Sequence, residues 1–131
     1  MYLLDTNILI YQIKGIARVS ENIRAHADSH MCFSVVSYGE LIYGACKSPN
    51  MQKKLRDAEL LTELYPMVDV SSEIMECFGK TKALLERTGD IIPDSDIIIG
   101  CTARVMDFTL VTNNEKHLRR IPGLRIENWS I

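Results

Sequence analysis

The sequence predicts an α/β fold: one domain with a mostly parallel central sheet of four to five strands and helices on both faces. Three observations carry this. Short apolar, β-branched runs alternate with longer segments of helical periodicity along the whole chain. The length of 131 residues suits one core and leaves no room for a second. Hydrophobic content of 47% with 24% charged residues lies within the range of globular chains and excludes a disordered or collagen-like polymer.

The elements follow in order. Tyr2 to Leu4 reads as a buried strand that turns at Asp5, and Ile8 to Ile13 as a helix broken by Gly15. Ile16, Val19, Ile23 and Ala27 recur at helical spacing. Met31 to Val36 is a second strand, after which Ser37 is expected to cap a helix through Ala45. Ser48-Pro49-Asn50 is a loop. Met51 to Glu63 reads as a polar-faced helix, and Met67 to Val70, just after Pro66, as a third strand. Ser71 or Ser72 caps a long helix to about Arg87, with Gly89 placed as its C-terminal stop. Asp94 is the expected cap of a helix to Met106. Thr109 to Thr112 is a fourth strand, Asn114 to Leu118 a helical turn, Pro122-Gly123 a turn and Leu124 to Glu127 a last strand.

Bulk properties exclude several classes. No apolar run approaches the ~20 residues of a membrane span, and the N-terminus has neither the basic region nor the small-residue cleavage site of a signal peptide. Cys32, Cys46, Cys77 and Cys101 show no CxxC spacing and lie in apolar stretches. They are expected to be buried free thiols, which favours a reducing cytoplasm over a disulfide framework or a structural zinc. A formal net charge of −2 gives no bulk sign of nucleic-acid binding. Two local basic patches stand out, Lys47, Lys53, Lys54 and Arg56, then Lys116, His117, Arg119 and Arg120. Taken alone, each reads first as a solvated helix face.

The chemistry concentrates in four clusters: Leu3 to Asn7, Ser37 to Leu41, Pro93 to Ile97 and Val111 to Glu115. Three follow a strand-like run and one opens a helix-like run, positions that line the crevice at the carboxyl ends of an α/β sheet. Carboxylates gathered there repel by roughly 4 kcal/mol per pair at ~4 Å and an effective dielectric near 20. Protons or hard cations must resolve that repulsion, and oxygen-only ligands suit Mg²⁺ or Mn²⁺. The pattern points to a metal-dependent hydrolase acting on phosphate esters.

Within the clusters, Asp5 reads either as a helix cap or as a ligand. Glu40 lies off the apolar face of Tyr38, Leu41, Ile42 and Ala45, and its helical neighbours Ser37 and Gly44 leave open space beside it. Asp96 repeats that pattern with Gly100 and Ala103, on a helix otherwise so apolar that a carboxylate there needs a partner or a shifted pKa. Asp94 is read as serving the cap and the helix dipole, and Asp96 as a metal ligand. Asn114 either holds a water near the cation through its side-chain oxygen or shapes the turn. Thr112 is placed to orient a carboxylate by its hydroxyl.

Together these clusters resemble the PIN domain, in particular the VapC-type toxin ribonucleases of type II toxin–antitoxin pairs. The resemblance runs over nearly the whole chain: Leu4-Asp5-Thr6-Asn7, Ser34 to Gly44 with Glu40-Leu41, Asp96 to Cys101, Leu110 to Asn114, Ile121 to Leu124, and Trp129. Order, spacing and length carry it, since no one motif is specific. It implies a PIN-like domain over residues 1–131 and an endoribonuclease using Mg²⁺ or Mn²⁺, with Asp5, Glu40 and Asp96 as its acidic ligands and catalytic groups. Asn7, Asp94, Thr112 and Asn114 take supporting places. The fourth acidic position falls on Asn114, where many members carry Asp, so one firmly bound metal is expected rather than two; Glu115 replaces it only by turning back toward the site.

The resemblance also implies an RNA substrate, transfer RNA being one possibility, a VapB-like antitoxin partner, and a homodimer served by an exposed apolar face around Ile8 to Ile13. Other readings stay open. A haloacid dehalogenase-type phosphatase wants a second Asp at the position of Asn7, and a receiver domain wants a later phospho-acceptor Asp and a Lys. A catalytically idle PIN-like binding module is the reading that Asn114 keeps in play.

Overall fold

The computed structural model describes all residues from Met1 to Ile131. Five strands, β1 (Tyr2–Leu4), β2 (Met31–Ser34), β3 (Met67–Val68), β4 (Thr109–Val111) and β5 (Ile126–Glu127), form one sheet in the order β3-β2-β1-β4-β5. Every pairing is parallel, so the sheet is wholly rather than mostly parallel. Seven helices connect and cover it: α1 (Thr6–Ile13), α2 (Ala17–Ala25), α3 (Val35–Cys46), α4 (Met51–Leu64), α5 (Ser72–Arg87), α6 (Asp94–Met106) and α7 (Glu115–Leu118).

Alternation along the strands divides the core into two layers. Leu3, Cys32 and Leu110 face one side, where Ile99 and Ala103 of α6 and Leu118 of α7 meet them. Leu4, Phe33 and Val111 face the other, against Ile8 and Leu9 of α1, Val19 of α2, Leu61 of α4 and Trp129. Both faces of the central strands are thus dry, as a parallel sheet requires. A third cluster, with Ile74 and Leu85 of α5 against Ile97 and Cys101 of α6, adds α5 as an outer layer.

Local chemistry sets the helix ends. Ser71 accepts the Ile74 N–H at 3.2 Å and starts α5. Gly15 and Gly89 stop α1 and α5 in the left-handed region, at φ 70° and 77°.

Several expectations need correction. The cap of α3 is Ser34, whose hydroxyl accepts the Val36 N–H at 3.0 Å; Val35 and Val36 are already helical, and Ser37 lies buried inside the first turn. Tertiary packing overrides the strand preference of two consecutive valines there. The cap of α6 is Pro93, with Asp94 its first helical residue. Cys32 and Cys101 are buried and Cys77 is half-buried, but Cys46, at the end of α3, is exposed. The exposed apolar face expected around Ile8 to Ile13 is narrower than that, because Ile8 and Leu9 are fully buried in the core and Ile10 and Ile13 half-buried. No helix is long and apolar enough to cross a membrane.

Candidate active site

The strand order fixes where a ligand crevice opens. The chain moves outward from β1 to β2 and β3, then returns to lay β4 on the other side of β1. That reversal lies between β1 and β4, and ligands of such sheets bind beyond the carboxyl ends of the strands at this point. Leu4 is in register with Val111, so the next residues, Asp5 and Thr112, leave the two strands side by side. The Asp5 N–H donates to the Val111 carbonyl at 2.9 Å and holds the junction closed.

The Asp5 carboxylate is 6% exposed, and both of its oxygens are engaged. Oδ1 accepts the Thr6 N–H at 2.8 Å, capping α1, while Oδ2 accepts the Thr112 hydroxyl at 2.7 Å. The cap and ligand readings are therefore compatible in one side chain. Burial raises the Asp5 pKa, the two hydrogen bonds pull it back, and the charge of Glu40 raises it further.

Glu40 comes from the second turn of α3. Its Oε1 lies 2.7 Å from Thr6 Oγ1, which is also 2.9 Å from Ser37 Oγ. A hydroxyl has one proton and an ionised carboxylate has none, so Thr6 donates to Glu40 and Ser37 donates to Thr6. Ser95 Oγ reaches toward Glu40 Oε2 from α6 at 3.5 Å, the outer limit of a hydrogen bond.

Asp96 enters from the first turn of α6, the end at which the sheet presents Asp5. Its Oδ2 accepts an Asn114 amide N–H at 3.2 Å. Its pKa is pushed from 3.8 up to about 6, first by burial and then by the charges of Asp5 and Glu40; His117 and the Asn114 hydrogen bond oppose the shift. Three carboxylates from β1, α3 and α6 thus share one electrostatic neighbourhood.

Asn114 works here through its nitrogen. One amide N–H faces Asp96 and the other faces His117 Nδ1 at 3.3 Å, while its backbone N–H donates to Thr112 Oγ1 at 2.9 Å. Thr112, fully buried, therefore accepts from Asn114 and donates to Asp5 through one oxygen. Two expected supporting residues, Asp94 and Asn7, lie apart, as does Glu115, which enters only as a substitute for Asn114. Asp94 makes an ion pair with Lys82 of α5 at 3.0 Å instead of capping α6. Asn7 is exposed and donates to Asn113 Oδ1 at 3.2 Å. Glu115 is bound by Arg119 at 2.8 Å and by Asn128 at 3.0 Å, which lower its pKa and turn it away from the cluster.

Sequence reasoning passed over Thr6, Ser37, Ser95 and His117 as site residues. Three of them sat inside the quoted clusters, and His117 lies three residues after Asn114 on a helical turn, so helical spacing was the signal available.

The small residues flanking the acids differ in meaning. A Cβ added at Gly44 would meet nothing within 4 Å, so the space beside Glu40 is open. A Cβ at Gly100 would come within 2.6 Å of Ile121 Cδ1, so this glycine serves close packing of α6 against the core.

The three carboxylates of Asp5, Glu40 and Asp96 make an all-oxygen donor set, and the Asn114 side chain stands at the fourth corner as a hydrogen-bond donor to Asp96. That chemistry fits a hard divalent cation and disfavours zinc or copper. No three His, Cys, Asp or Glu side chains close into a ready-made cage. Mg²⁺ rarely needs one, being held by one or two carboxylates and several waters.

Comparison with known proteins is consistent across sequence and structure. Residues 2–124 match the PIN domain family model. The chain is 33% identical to "Ribonuclease VapC1" of Haemophilus influenzae (strain R2866), over 99% of this chain and 98% of that one. It is 35% identical to "tRNA(fMet)-specific endonuclease VapC" of Shigella flexneri, over 98% of both chains. A chain in the crystal structure of VapBC2 from Rickettsia felis, bound to a DNA fragment from their promoter, superposes with a TM-score of 0.91 at 32% identity, covering 98% of each chain.

Proposed function

The chain belongs to the PIN domain family, and on that premise we propose that it is an endoribonuclease dependent on Mg²⁺ or Mn²⁺, the toxin half of a VapBC-type pair. The observation that carries the reading is the convergence of Asp5, Glu40 and Asp96 at the β1–β4 switch point, where burial and the charge of Glu40 raise the Asp5 pKa, and burial and the charges of Asp5 and Glu40 raise that of Asp96. A polyanionic substrate would enter such a corner only with a cation between it and the carboxylates.

The residues divide the work of hydrolysis. Asp5 and Asp96 would hold the cation, Asp5 from a fixed position set by Thr6 and Thr112. When bound, the cation supplies charge stabilisation at the phosphoryl oxygens and makes a nearby water easier to deprotonate. Glu40, held by Thr6 and beside the open space at Gly44, orients the attacking water or takes its proton. Water then attacks phosphorus in line: the new P–O bond forms as the bond to the leaving ribose oxygen breaks, and that oxygen takes a proton from solvent to leave as a hydroxyl. Asn114 steadies Asp96 with an N–H, a weaker contribution to cation binding than a fourth carboxylate, which supports one firmly held metal.

The relatives supply the biological setting. Two of them are named tRNA(fMet)-specific endonucleases, which makes initiator transfer RNA the first substrate to try. Several solved relatives were captured as VapBC complexes, so a VapB-like antitoxin is the proposed partner, and a homodimer in the cytoplasm is the proposed state. The phosphatase alternative loses its footing because Asn7 turns outward to Asn113. The test is cleavage of labelled RNA by the purified chain, with EDTA and with Mg²⁺ or Mn²⁺ restored. Cleavage that needs the cation supports the enzyme, and no cleavage under any condition returns the chain to the idle binding module.

A further inference from the structure

Building on the nuclease reading above, we propose that the groove between α1, α3 and α4 is an RNA subsite, seating one nucleotide of the strand beside the scissile phosphate, with Lys14 and Lys54 gripping its backbone phosphates. The groove encloses about 410 Å³, within the ~300–1,000 Å³ of small-ligand sites and enough for about one nucleotide. Its floor is apolar, with Ile13, Leu41 and Ala58 contributed by three different helices, and its rim carries the lysines. A nucleotide offers the matching pair of surfaces, a flat base and a charged phosphate.

The rim cations are not all equal. Lys53 is neutralised by Asp57 at 2.9 Å, whereas Lys14 and Lys54 have no carboxylate partner. Two uncompensated cations at one groove, on a chain of net charge −2, call for an anion. The groove also has a direction. Glu40, a member of the carboxylate cluster, lines it, and the space beside Gly44, one helical turn on, is open. An acidic peptide satisfies the lysines but gains nothing by running on into three carboxylates. An RNA strand must run on, because the next phosphate is the one the site acts upon.

The experiment measures binding rather than cleavage. Asp96→Asn protein, full length, is titrated into fluorescently labelled single-stranded RNA, and anisotropy is followed across a salt series. Lys14→Gln and Lys54→Gln are each expected to weaken binding about three- to tenfold and to reduce the slope of log affinity against log salt by about 0.7. Arg87→Gln, the same charge change at the far end of α5, is the control and should leave both within about 1.5-fold. Lysine variants no weaker than Arg87→Gln overturn the subsite while leaving the nuclease reading intact. RNA affinity retained by lysine variants that have lost a purified antitoxin assigns the groove to a protein and also overturns it. Failure of the parent protein to bind RNA at all sinks the nuclease reading itself.

Discussion

Thr112 donates its hydroxyl to Asp5 Oδ2 at 2.7 Å, tying the end of β4 to the end of β1 across 107 positions of sequence. The bond sits where both groups are buried, so neither can exchange it for water without cost. Thr112→Val keeps the shape and removes the donor. We expect activity to fall about 10- to 100-fold, as for other residues that orient a ligand from behind, and stability to drop by roughly 1–3 kcal/mol because a buried acceptor is orphaned. Thr112→Ser should recover most of both, measured by RNA cleavage rates and urea melts.

Asp96 makes the folded chain sensitive to pH in a direction opposite to that of an ordinary ion-paired carboxylate. Its pKa in the fold, about 6, is above the unfolded value of 3.8. The folded state therefore keeps a proton that the unfolded state has already released. Its contribution is fully present below pH ~4 and is lost as pH rises through about 6. In chelator, wild-type stability relative to Asp96→Asn should decline steadily from pH 4 to pH 7, read from denaturant midpoints. A flat difference would contradict the shared electrostatic neighbourhood.

Asp94 is expected to be dispensable for chemistry. Its carboxylate is 56% exposed and faces Lys82 rather than the cluster. Asp94→Asn should keep cleavage within about twofold and cost at most ~1 kcal/mol, as exposed ion pairs do. A loss comparable to that of Asp96→Asn would place Asp94 in the site after all.

The two glycines beside the acidic residues should respond oppositely. Gly44→Ala meets open space and gains helix propensity, so a stabilisation of about 0.5–1 kcal/mol is expected. Gly100→Val drives a side chain into Ile121, Leu118 and Leu124 and should destabilise by about 1–3 kcal/mol. Thermal melts of the two variants decide this.

Much of the architecture was legible because local signals and tertiary demands agreed. The apolar runs at Leu3-Leu4 and Leu110-Val111 became central strands, and Gly15 and Gly89 ended helices as their φ freedom allows. The three acids could be singled out because each stood against an apolar or small-residue background. What stayed hidden depended on partners far away in sequence. Ser34 and Ser37 are both plausible caps until packing commits Val35 and Val36 to the helix. Nothing near Asp94 announces Lys82 on the preceding helix, and the periodicity around Gly100 gives no sign of Ile121 filling its space. Thr6 looks like a bystander to Asp5 until α3 brings Glu40 within 2.7 Å of its hydroxyl.

Asp5, Glu40 and Asp96 are proposed to form one cation-dependent RNA-cleaving site. The most direct test is a cleavage assay on chelator-stripped protein, with Mg²⁺ or Mn²⁺ added back, comparing wild type with Asp5→Asn and Asp96→Asn at matched folding by circular dichroism. The expected result is no cleavage in chelator, recovery on adding the cation, and loss of at least about 10³-fold in both variants, about 4 kcal/mol of barrier. Folded variants that cleave RNA at the wild-type rate, or wild-type cleavage undiminished in chelator, would contradict it.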